Sequence, residues 1–163
     1  MPKPEKTNVM RTLERCHVPY SEYHLALSEA VSGVEMAQML GKSCESAFKT
    51  IVTEGKSRQH YVFMIPVAAE LDLKKAAAAV GEKSIEMLKS KDLLPLTGYV
   101  HGGCSPIGMK KQFRTIIDAS AEKCERIMFS AGKIGWQVET TLDGLRSVLP
   151  VESRDVAAPA DRP

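Results

Sequence analysis

Apolar residues recur along the chain at two spacings, and these spacings divide it into helices and strands. Helical spacing predicts a first helix over residues 7–16. The capping box Ser32-x-x-Glu35 predicts the start of a second helix, which Gly41 ends. The same signals predict three further helices, over residues 73–80, near residues 90–94 and over residues 141–149. Pro95 should stop the fourth helix, because proline cannot donate to the helical hydrogen-bond ladder.

Short runs rich in β-branched and aromatic residues predict the strands. The clearest pair is 47–53 and 60–67, which the polar stretch 54–59 should join as a hairpin. Four more strands are predicted, over residues 20–27, 114–120, 125–132 and 136–141. Because hairpins and single helices are interleaved, the predicted fold is α/β of the α+β kind, with a mixed sheet rather than a parallel one.

The composition fits one globular domain and argues against a membrane or secreted protein. The chain has 163 residues, enough for a single domain, which is predicted over residues 1–150. The final stretch, 151–163, holds little apolar surface and is predicted to be a disordered tail. No apolar run is long enough to span a bilayer, and the N-terminus lacks a secretory signal. We therefore expect a cytoplasmic protein with no membrane partner.

Charge and cysteine spacing limit the possible ligands. The formal net charge is only +2, so a nucleic acid would have to be bound by local basic patches, of which residues 109–114 are the best candidate. The four cysteines lack the spacing of a zinc site, and no histidine stands at a suitable interval from them. We therefore expect free thiols, no metal and no cofactor, and the pattern indicates no particular oligomeric state.

Lys49 interrupts an otherwise apolar run. If this run is a strand, Lys49 shares a face with Ala47 and Ile51, and two interpretations are open. In the first, Lys49 lies on an edge strand and discourages aggregation. In the second, its ammonium group points into a pocket and binds a carbonyl or phosphate oxygen.

Two glycine-rich loops carry further lysines. The first loop holds three glycines and two lysines: Gly102, Gly103, Gly108, Lys110 and Lys111. The second, residues 129–135, follows a predicted strand and contains Lys133. Glycines allow backbone amides to approach a ligand, and lysines add positive charge. Either loop alone fits an ordinary turn, but together with Lys49 they indicate a site for a polyanion or a developing oxyanion.

Cys104 introduces thiol catalysis as an alternative. A catalytic cysteine needs a nearby base and a depressed pKa. His101 is the nearest histidine in sequence, but no third group is placed to orient it. A passive thiol is the favoured interpretation, and an enzyme that depends on Cys104 is the alternative.

In combination, several segments resemble the YbaK/EbsC family, the freestanding relatives of the editing domain of bacterial prolyl-tRNA synthetases. They are FKTIV, PVAAELDLKKAAAAVG, TGYVHGGCSPIGMKK, TIIDAS and FSAGKIGWQVE, and the resemblance extends over residues 7–149. It implies a mixed, barrel-like β-sheet surrounded by helices. It also implies removal of a wrongly attached amino acid from tRNA. The YbaK branch acts on Cys-tRNA(Pro), and sister branches remove alanine from tRNA(Pro).

The resemblance assigns roles to individual residues. Lys49 matches the family's strand lysine, the residue most closely tied to activity, which binds near the ester and the terminal ribose. Thr50 follows it, as in the family pattern, and is expected to bind substrate. Gly102 and Gly103 match a glycine pair whose amides would polarise the aminoacyl carbonyl.

The loop after the late strand completes the predicted site. Ser130 and Gly132 match a Ser-x-Gly loop that would contact the substrate or the terminal adenosine. Ala131 stands where the family has glycine, which leaves the identity of the amino acid open. The candidate tRNA-binding residues are Lys110, Lys111 and Lys133.

The mechanism implied by the resemblance needs no nucleophile from the enzyme. The substrate's own thiol attacks its ester, while the enzyme holds the geometry and stabilises the oxyanion. The expected partners are an aminoacyl-tRNA, tRNA(Pro) in particular, and a prolyl-tRNA synthetase that delivers it. One alternative is a deacylase for Ala-tRNA(Pro) or another aminoacyl-tRNA. A second is a non-catalytic module that binds tRNA ends or nucleotides.

Overall fold

The computed structural model describes residues 6–159, in which every predicted helix is present. The helices are α1 (Asn8–Arg15), α2 (Gly33–Met39), α3 (Leu73–Val80), α4 (Ser90–Thr97) and α5 (Leu142–Val148). The strands are β1 (Ser21–His24), β2 (Phe48–Gly55), β3 (His60–Pro66), β4 (Ala69–Leu71), β5 (Ile85–Met87), β6 (Arg114–Asp118), β7 (Ile127–Ser130), β8 (Trp136–Thr140), β9 (Glu152–Arg154) and β10 (Ala157–Pro159). None of the helices in this range has the length and apolar character needed to cross a membrane.

The strands form three sheets, and the largest is mixed, as predicted. Its order is β5-β2-β3-β6-β9, in which β2 is antiparallel to β3 and β5, whereas β6 is parallel to β3 and β9. A second, antiparallel sheet has the order β1-β8-β7, and β10 pairs with β4 in a third. The mixed sheet is confirmed, but within residues 6–159 the strands remain in three sheets and do not close into a barrel.

Apolar layers cover both faces of the central sheet. Met64 of β3 packs in one buried cluster with Val9 of α1 and Leu145 of α5. Its neighbour Phe63 packs in a second cluster with Ala76 of α3. Successive side chains of a strand point to opposite faces, so a strand buried on both faces is apolar throughout. This explains the unbroken apolar run that predicted β3.

The central sheet and the second sheet meet at the N-terminal end of β2. Ala47 forms an isolated parallel bridge with Met128, and the Met128 amide donates a hydrogen bond to the Ser46 carbonyl at 2.9 Å. β2 begins directly after Ala47, and β7 runs on from Met128 in the same direction. Lys49 and Ser130 each lie two residues beyond this bridge, so the junction brings them to the same region.

The predicted disordered tail is wrong for residues 151–159. β9 pairs with β6 and β10 pairs with β4, and Val156 between these two strands is fully buried. Val156 belongs to the cluster that covers the α3 face of the central sheet. The C-terminal segment therefore completes that layer of the core. Residues 160–163 lie outside the described residues.

Helix α4 also differs from its prediction, because it continues past Pro95 to Thr97. Proline removes one N–H donor from the helix but leaves the neighbouring donors in place. The Thr97 hydroxyl donates to the Leu93 carbonyl at 2.8 Å, and the Gly98 amide donates to the Leu94 carbonyl at 2.9 Å. These bonds close the last turn around the proline.

Candidate active site

A cavity of about 250 Å³ opens where the central sheet, the second sheet and the loop after α4 meet. β2 supplies Lys49 and Thr50, the loop supplies Gly102, and the end of β7 supplies Ser130. The structure therefore brings these predicted site residues together. The apolar part of the wall includes Val31, Met36, Ala47, Phe48, Val52, Met87, Leu93 and Met128. An apolar cavity with a few convergent polar groups is typical of a ligand site.

Lys49 is the one lysine among the described residues of the cavity wall. β2 pairs with β3 at Lys49 but with β5 only from Thr53 to Gly55, and the position of Lys49 in the cavity wall favours the pocket interpretation. Burial lowers the pKa of Lys49 below its ordinary value of 10.5, and the charge of Glu70 opposes this shift. Within residues 6–159, the ammonium group forms no ion pair or hydrogen bond. The group is therefore half-buried and available to a ligand.

Two polar side chains of the wall are also without partners in the described part of the chain. Thr50 Oγ1 is buried and forms no hydrogen bond. Gln137 is 9% exposed, and its side-chain amide forms no hydrogen bond either. A buried polar group without a partner is unfavourable, so a polar ligand would stabilise the Thr50 hydroxyl, and the Gln137 amide is open to the same ligand. Gln137 carries no motif that would have predicted it; it reaches the cavity because β8 pairs with β7 and places it opposite Ser130.

The two glycines of the predicted pair have different surroundings. Gly102 lines the cavity with a φ of +89°, and its N–H forms no hydrogen bond within residues 6–159. Gly103 does not line the cavity, and its N–H donates to the Val100 carbonyl at 3.0 Å. A Cβ added to Gly103 would lie 3.2 Å from the amide nitrogen of Ile134. Gly103 therefore allows the two glycine loops to pack together, and its amide is not free to polarise a carbonyl as predicted.

Cys104 lines the cavity, but its surroundings suit a passive thiol. It is buried, and burial raises the pKa of the thiol to about 12. The reactive thiolate is therefore scarce at neutral pH. His101 lines the same cavity, yet no hydrogen bond joins it to Cys104 in the described structure. All four cysteines are free thiols, as predicted, and no three His, Cys, Asp or Glu side chains in residues 6–159 are grouped to hold a metal ion.

The loop after β7 extends from the cavity to the neighbouring surface. Ser130 lines the cavity, and its Oγ accepts a hydrogen bond from the Gly132 amide at 3.1 Å. Gly132 itself has a φ of +98° and lies outside the cavity wall. Ala131 is fully buried and is likewise not part of that wall. The alanine that departs from the family pattern therefore makes no direct contact with the cavity.

The predicted tRNA-binding lysines are divided between two other concave surfaces. Lys110 and Lys133 line one that lies beside α1, whereas Lys111 lines another. Lys133 Nζ is 5.5 Å from the centre of the Trp136 ring, and Lys111 Nζ is 6.0 Å from that of Phe113. None of these lysines lines the main cavity.

Gly102→Ala should lower activity at this site together with stability. Alanine is strained at a φ of +89°, and its Cβ would collide with the Cβ of Ala30. We expect activity at the cavity to fall roughly tenfold, less than the roughly hundredfold cost of misplacing a reacting group by about 1 Å. Gly81→Ala is the matched control, because Gly81 has a φ of +76° and open space around it. It should lose stability but keep activity; equal activity losses in both variants would contradict a local role for Gly102.

Comparisons with known proteins identify the family of the chain. The model of the aminoacyl-tRNA editing domain family matches residues 28–148, so the chain belongs to that family. A relative from Enterococcus faecalis, EbsC, is 48% identical over 145 residues, which are 88% of this chain and 88% of that protein. EbsC is provisionally named as a Cys-tRNA(Pro)/Cys-tRNA(Cys) deacylase. The predicted resemblance and the predicted class of enzyme, an aminoacyl-tRNA deacylase, are confirmed.

Solved structures confirm the fold. One, provisionally described as a trans-editing enzyme for prolyl-tRNA synthetase, has a TM-score of 0.79 at 21% identity and covers 94% of this chain and 99% of its own. A hypothetical protein designated APE2540 has a TM-score of 0.81 at 18% identity, with 92% and 99% covered. At these low identities the two structures support the fold and nothing further.

Proposed function

We propose that this protein is a trans-editing deacylase that removes cysteine from Cys-tRNA(Pro). The observation that carries the proposal is the convergence of Lys49, Gly102 and Ser130 on one small apolar cavity in a chain of the editing family. The 48% identity to a relative provisionally named for Cys-tRNA(Pro) and Cys-tRNA(Cys) supports cysteine as the amino acid.

In the proposed complex, the aminoacyl ester lies in the cavity. Lys49 and the free amide of Gly102 face the oxygen on which negative charge develops. Donors that are already fixed in place stabilise such charge without reorganising, and partial burial strengthens their effect. Thr50 Oγ1 and the Gln137 amide bind polar groups of the substrate, and Ser130 binds near the terminal ribose or adenosine.

The proposed reaction uses the thiol of the substrate. Its sulfur loses a proton as it bonds to the ester carbonyl carbon, and the bond from that carbon to the ribose oxygen then breaks. The ribose oxygen takes up a proton, so the tRNA leaves with a free hydroxyl group. Water hydrolyses the cyclic thioester to cysteine. The protein supplies position and charge stabilisation, which fits the high pKa of Cys104.

The proposal is tested by deacylation of Cys-tRNA(Pro), Ala-tRNA(Pro) and Pro-tRNA(Pro) under identical conditions. Rapid loss of cysteine alone supports it, because an alanyl ester has no thiol that could attack. Faster loss of alanine would instead make the protein an alanine-specific deacylase that uses the same cavity. Retained binding of tRNA with no deacylation of any substrate would make it a binding module.

Cys104→Ala should keep deacylase activity of the same order as the wild type. The buried thiol has a pKa raised to about 12, and the proposed step does not use it. Initial rates for Cys-tRNA(Pro) measure this directly. Iodoacetamide labelling followed by mass spectrometry should also modify exposed Cys16 before Cys104. Complete loss of activity in a folded Cys104→Ala variant would favour the thiol-dependent alternative.

A prolyl-tRNA synthetase is the proposed source of the substrate. A pocket that selects by shape separates side chains of similar size by only ~1–3 kcal/mol, so errors need a second site. The net charge of +2 supports weak affinity for RNA alone, which is why we propose delivery in the cytoplasm by the synthetase. Addition of a synthetase that cannot aminoacylate should then lower KM for Cys-tRNA(Pro). An unchanged KM would contradict delivery.

A further inference from the structure

A second concave surface, of about 390 Å³, is formed in part by the two loops that also line the main cavity. We call it the basic pocket. Four basic side chains from three segments of the chain line it: Lys6, Arg11, Lys110 and Lys133. None of the lining residues between 6 and 159 is acidic. A concave surface with charge of one sign focuses its field and attracts ligands of the opposite charge.

Lys110 is held in place at the base of the basic pocket. Its amide donates to the Thr97 carbonyl at 3.0 Å, and its aliphatic stem lies across Gly98. Its Nζ donates to the Pro95 carbonyl at 3.4 Å, a bond that uses one of three N–H groups. Within residues 6–159, Lys110 has no carboxylate partner. Its positive charge is therefore positioned but not neutralised by the described chain.

Helix α1 contributes the opposite wall. Arg11 is exposed, and its guanidinium donates to the Asn8 side chain at 2.9 Å; its charge also acts on the Glu14 carboxylate, although no ion pair joins the two in residues 6–159. Lys6 forms an ion pair with Glu14 at 2.8 Å, so its positive charge is partly neutralised. The N-terminal end of α1 also lines the basic pocket and adds the partial positive charge of a helix start.

The basic pocket and the main cavity are built on the same two loops. In the loop after α4, Gly102 lines the cavity whereas Gly108 lines the basic pocket. In the loop after β7, Ser130 lines the cavity whereas Gly132 lines the basic pocket, and the two are joined by a hydrogen bond of 3.1 Å. A ligand that enters the cavity therefore contacts the two loops that also form the basic pocket.

We propose that the basic pocket binds backbone phosphate of the RNA strand whose aminoacylated end enters the main cavity. This inference rests on the proposed function. An RNA strand carries one negative charge for each nucleotide, and lysine and arginine bind phosphate through charge and multiple N–H donors. Arg11 and Lys110 are the residues that carry the inference. They bind phosphate without reading base identity.

Lys111 is the competing candidate to compare with Lys110, because both lysines are predicted from the sequence to bind tRNA. The two lysines are adjacent in sequence and equal in charge, and both are exposed. Lys110 lines the basic pocket, but Lys111 lines a different concave surface together with Arg58 and Arg114. Nonspecific attraction of RNA would be reduced equally by loss of either lysine. A site in the basic pocket would be affected by only one.

The test is binding of an uncharged acceptor-stem RNA hairpin with a single-stranded CCA end, measured by fluorescence anisotropy over a range of salt concentrations. At about 0.1 M salt, Lys110→Ala and Arg11→Ala should each weaken binding roughly fivefold, as expected for one lost phosphate contact to a single strand. Each should also reduce the slope of log K against log salt by about 0.7. Lys74→Ala, at an exposed residue of α3 that lines neither concave surface, should change neither quantity, and Lys111→Ala should weaken binding less than Lys110→Ala. Lys110→Gln keeps the stem over Gly98 and checks that a loss reflects charge and not folding.

Equal weakening by Lys110→Ala and Lys111→Ala, or no weakening by Lys110→Ala, would overturn the inference. Deacylation assays distinguish failure of the inference about the basic pocket from failure of the proposed function. If the wild type deacylates Cys-tRNA(Pro) but Lys110→Ala and Arg11→Ala leave KM unchanged, only the inference fails. If the wild type deacylates nothing while RNA binding still depends on Lys110 and Arg11, the phosphate site stands and the proposed function fails.

Discussion

Lys49→Ala should lower kcat/KM for deacylation of Cys-tRNA(Pro) by roughly two to three orders of magnitude, the usual effect of removing one donor that stabilises developing charge. Lys49 is the one lysine in the wall of the cavity, and no described group competes for its ammonium. Single-turnover measurements with excess enzyme would isolate the chemical step. Lys49→Arg should recover only part of the activity, because the planar guanidinium places its donors differently.

The loss of activity should occur without a loss of stability. Burial lowers the pKa of Lys49, so the folded protein disfavours its charged form. Lys49→Ala removes the free-energy cost of burying that charge. Lys74 is an exposed residue of α3, so Lys74→Ala is the matched control and should leave both activity and stability unchanged. A Lys49→Ala variant that deacylates normally would remove Lys49 from the mechanism. One that loses activity only in proportion to unfolding would show a structural role.

Local signals in the sequence were sufficient for the helices and hairpins. The capping box formed as predicted: Ser32 Oγ accepts from the Glu35 amide at 3.1 Å, and the Glu35 carboxylate accepts from the Ser32 amide at 3.4 Å. Gly81 ends α3 with a φ of +76°, a conformation that glycine adopts without strain. Each of these features depends on residues a few positions apart, so the sequence itself specifies them.

The cavity depends on contacts that local patterns do not encode. Its position follows from the bridge between Ala47 and Met128, which are far apart in sequence. The interrupted apolar run singled out Lys49, and the resemblance to a family assigned roles to Lys49 and Ser130. Gln137 lies in an ordinary strand pattern and has no motif of its own. Its place in the wall follows only from the pairing of β7 with β8.

The sequence did not predict the C-terminal strands, because few of the side chains in this segment contribute to its stability. Val156 is the fully buried residue between β9 and β10. The backbone amides of Val156 and Ala157 both donate to one carboxylate oxygen of Asp118, at 3.0 Å each. The partner that fixes the segment is thus distant in sequence, and the segment read alone resembles a solvated tail.

Asp118→Ala should lower the free energy of unfolding by about 3 kcal/mol. Hydrogen bonds to a charged group contribute about 1.5–3 kcal/mol each, and the change leaves the amides of Val156 and Ala157 without their acceptor. Urea unfolding followed by the fluorescence of Trp136, the single tryptophan, measures this. Glu125→Gln replaces an exposed carboxylate that has no partner in residues 6–159 and should leave stability unchanged. An equal loss in both variants would point to overall charge instead.

The contribution of Asp118 should also depend on pH in a defined direction. Burial opposes ionisation of its carboxyl, but hydrogen bonds from Ser120, Val156 and Ala157 outweigh burial and hold its pKa below the ordinary value of 3.8. A depressed pKa means that the stabilisation is complete above the unfolded value and is lost as pH falls through the folded one. The gap in stability between wild type and Asp118→Asn should therefore be constant from about pH 5 to 7 and shrink below about pH 4. A gap that stays constant down to acid unfolding would mean that the Asp118 charge does not stabilise the C-terminal strands.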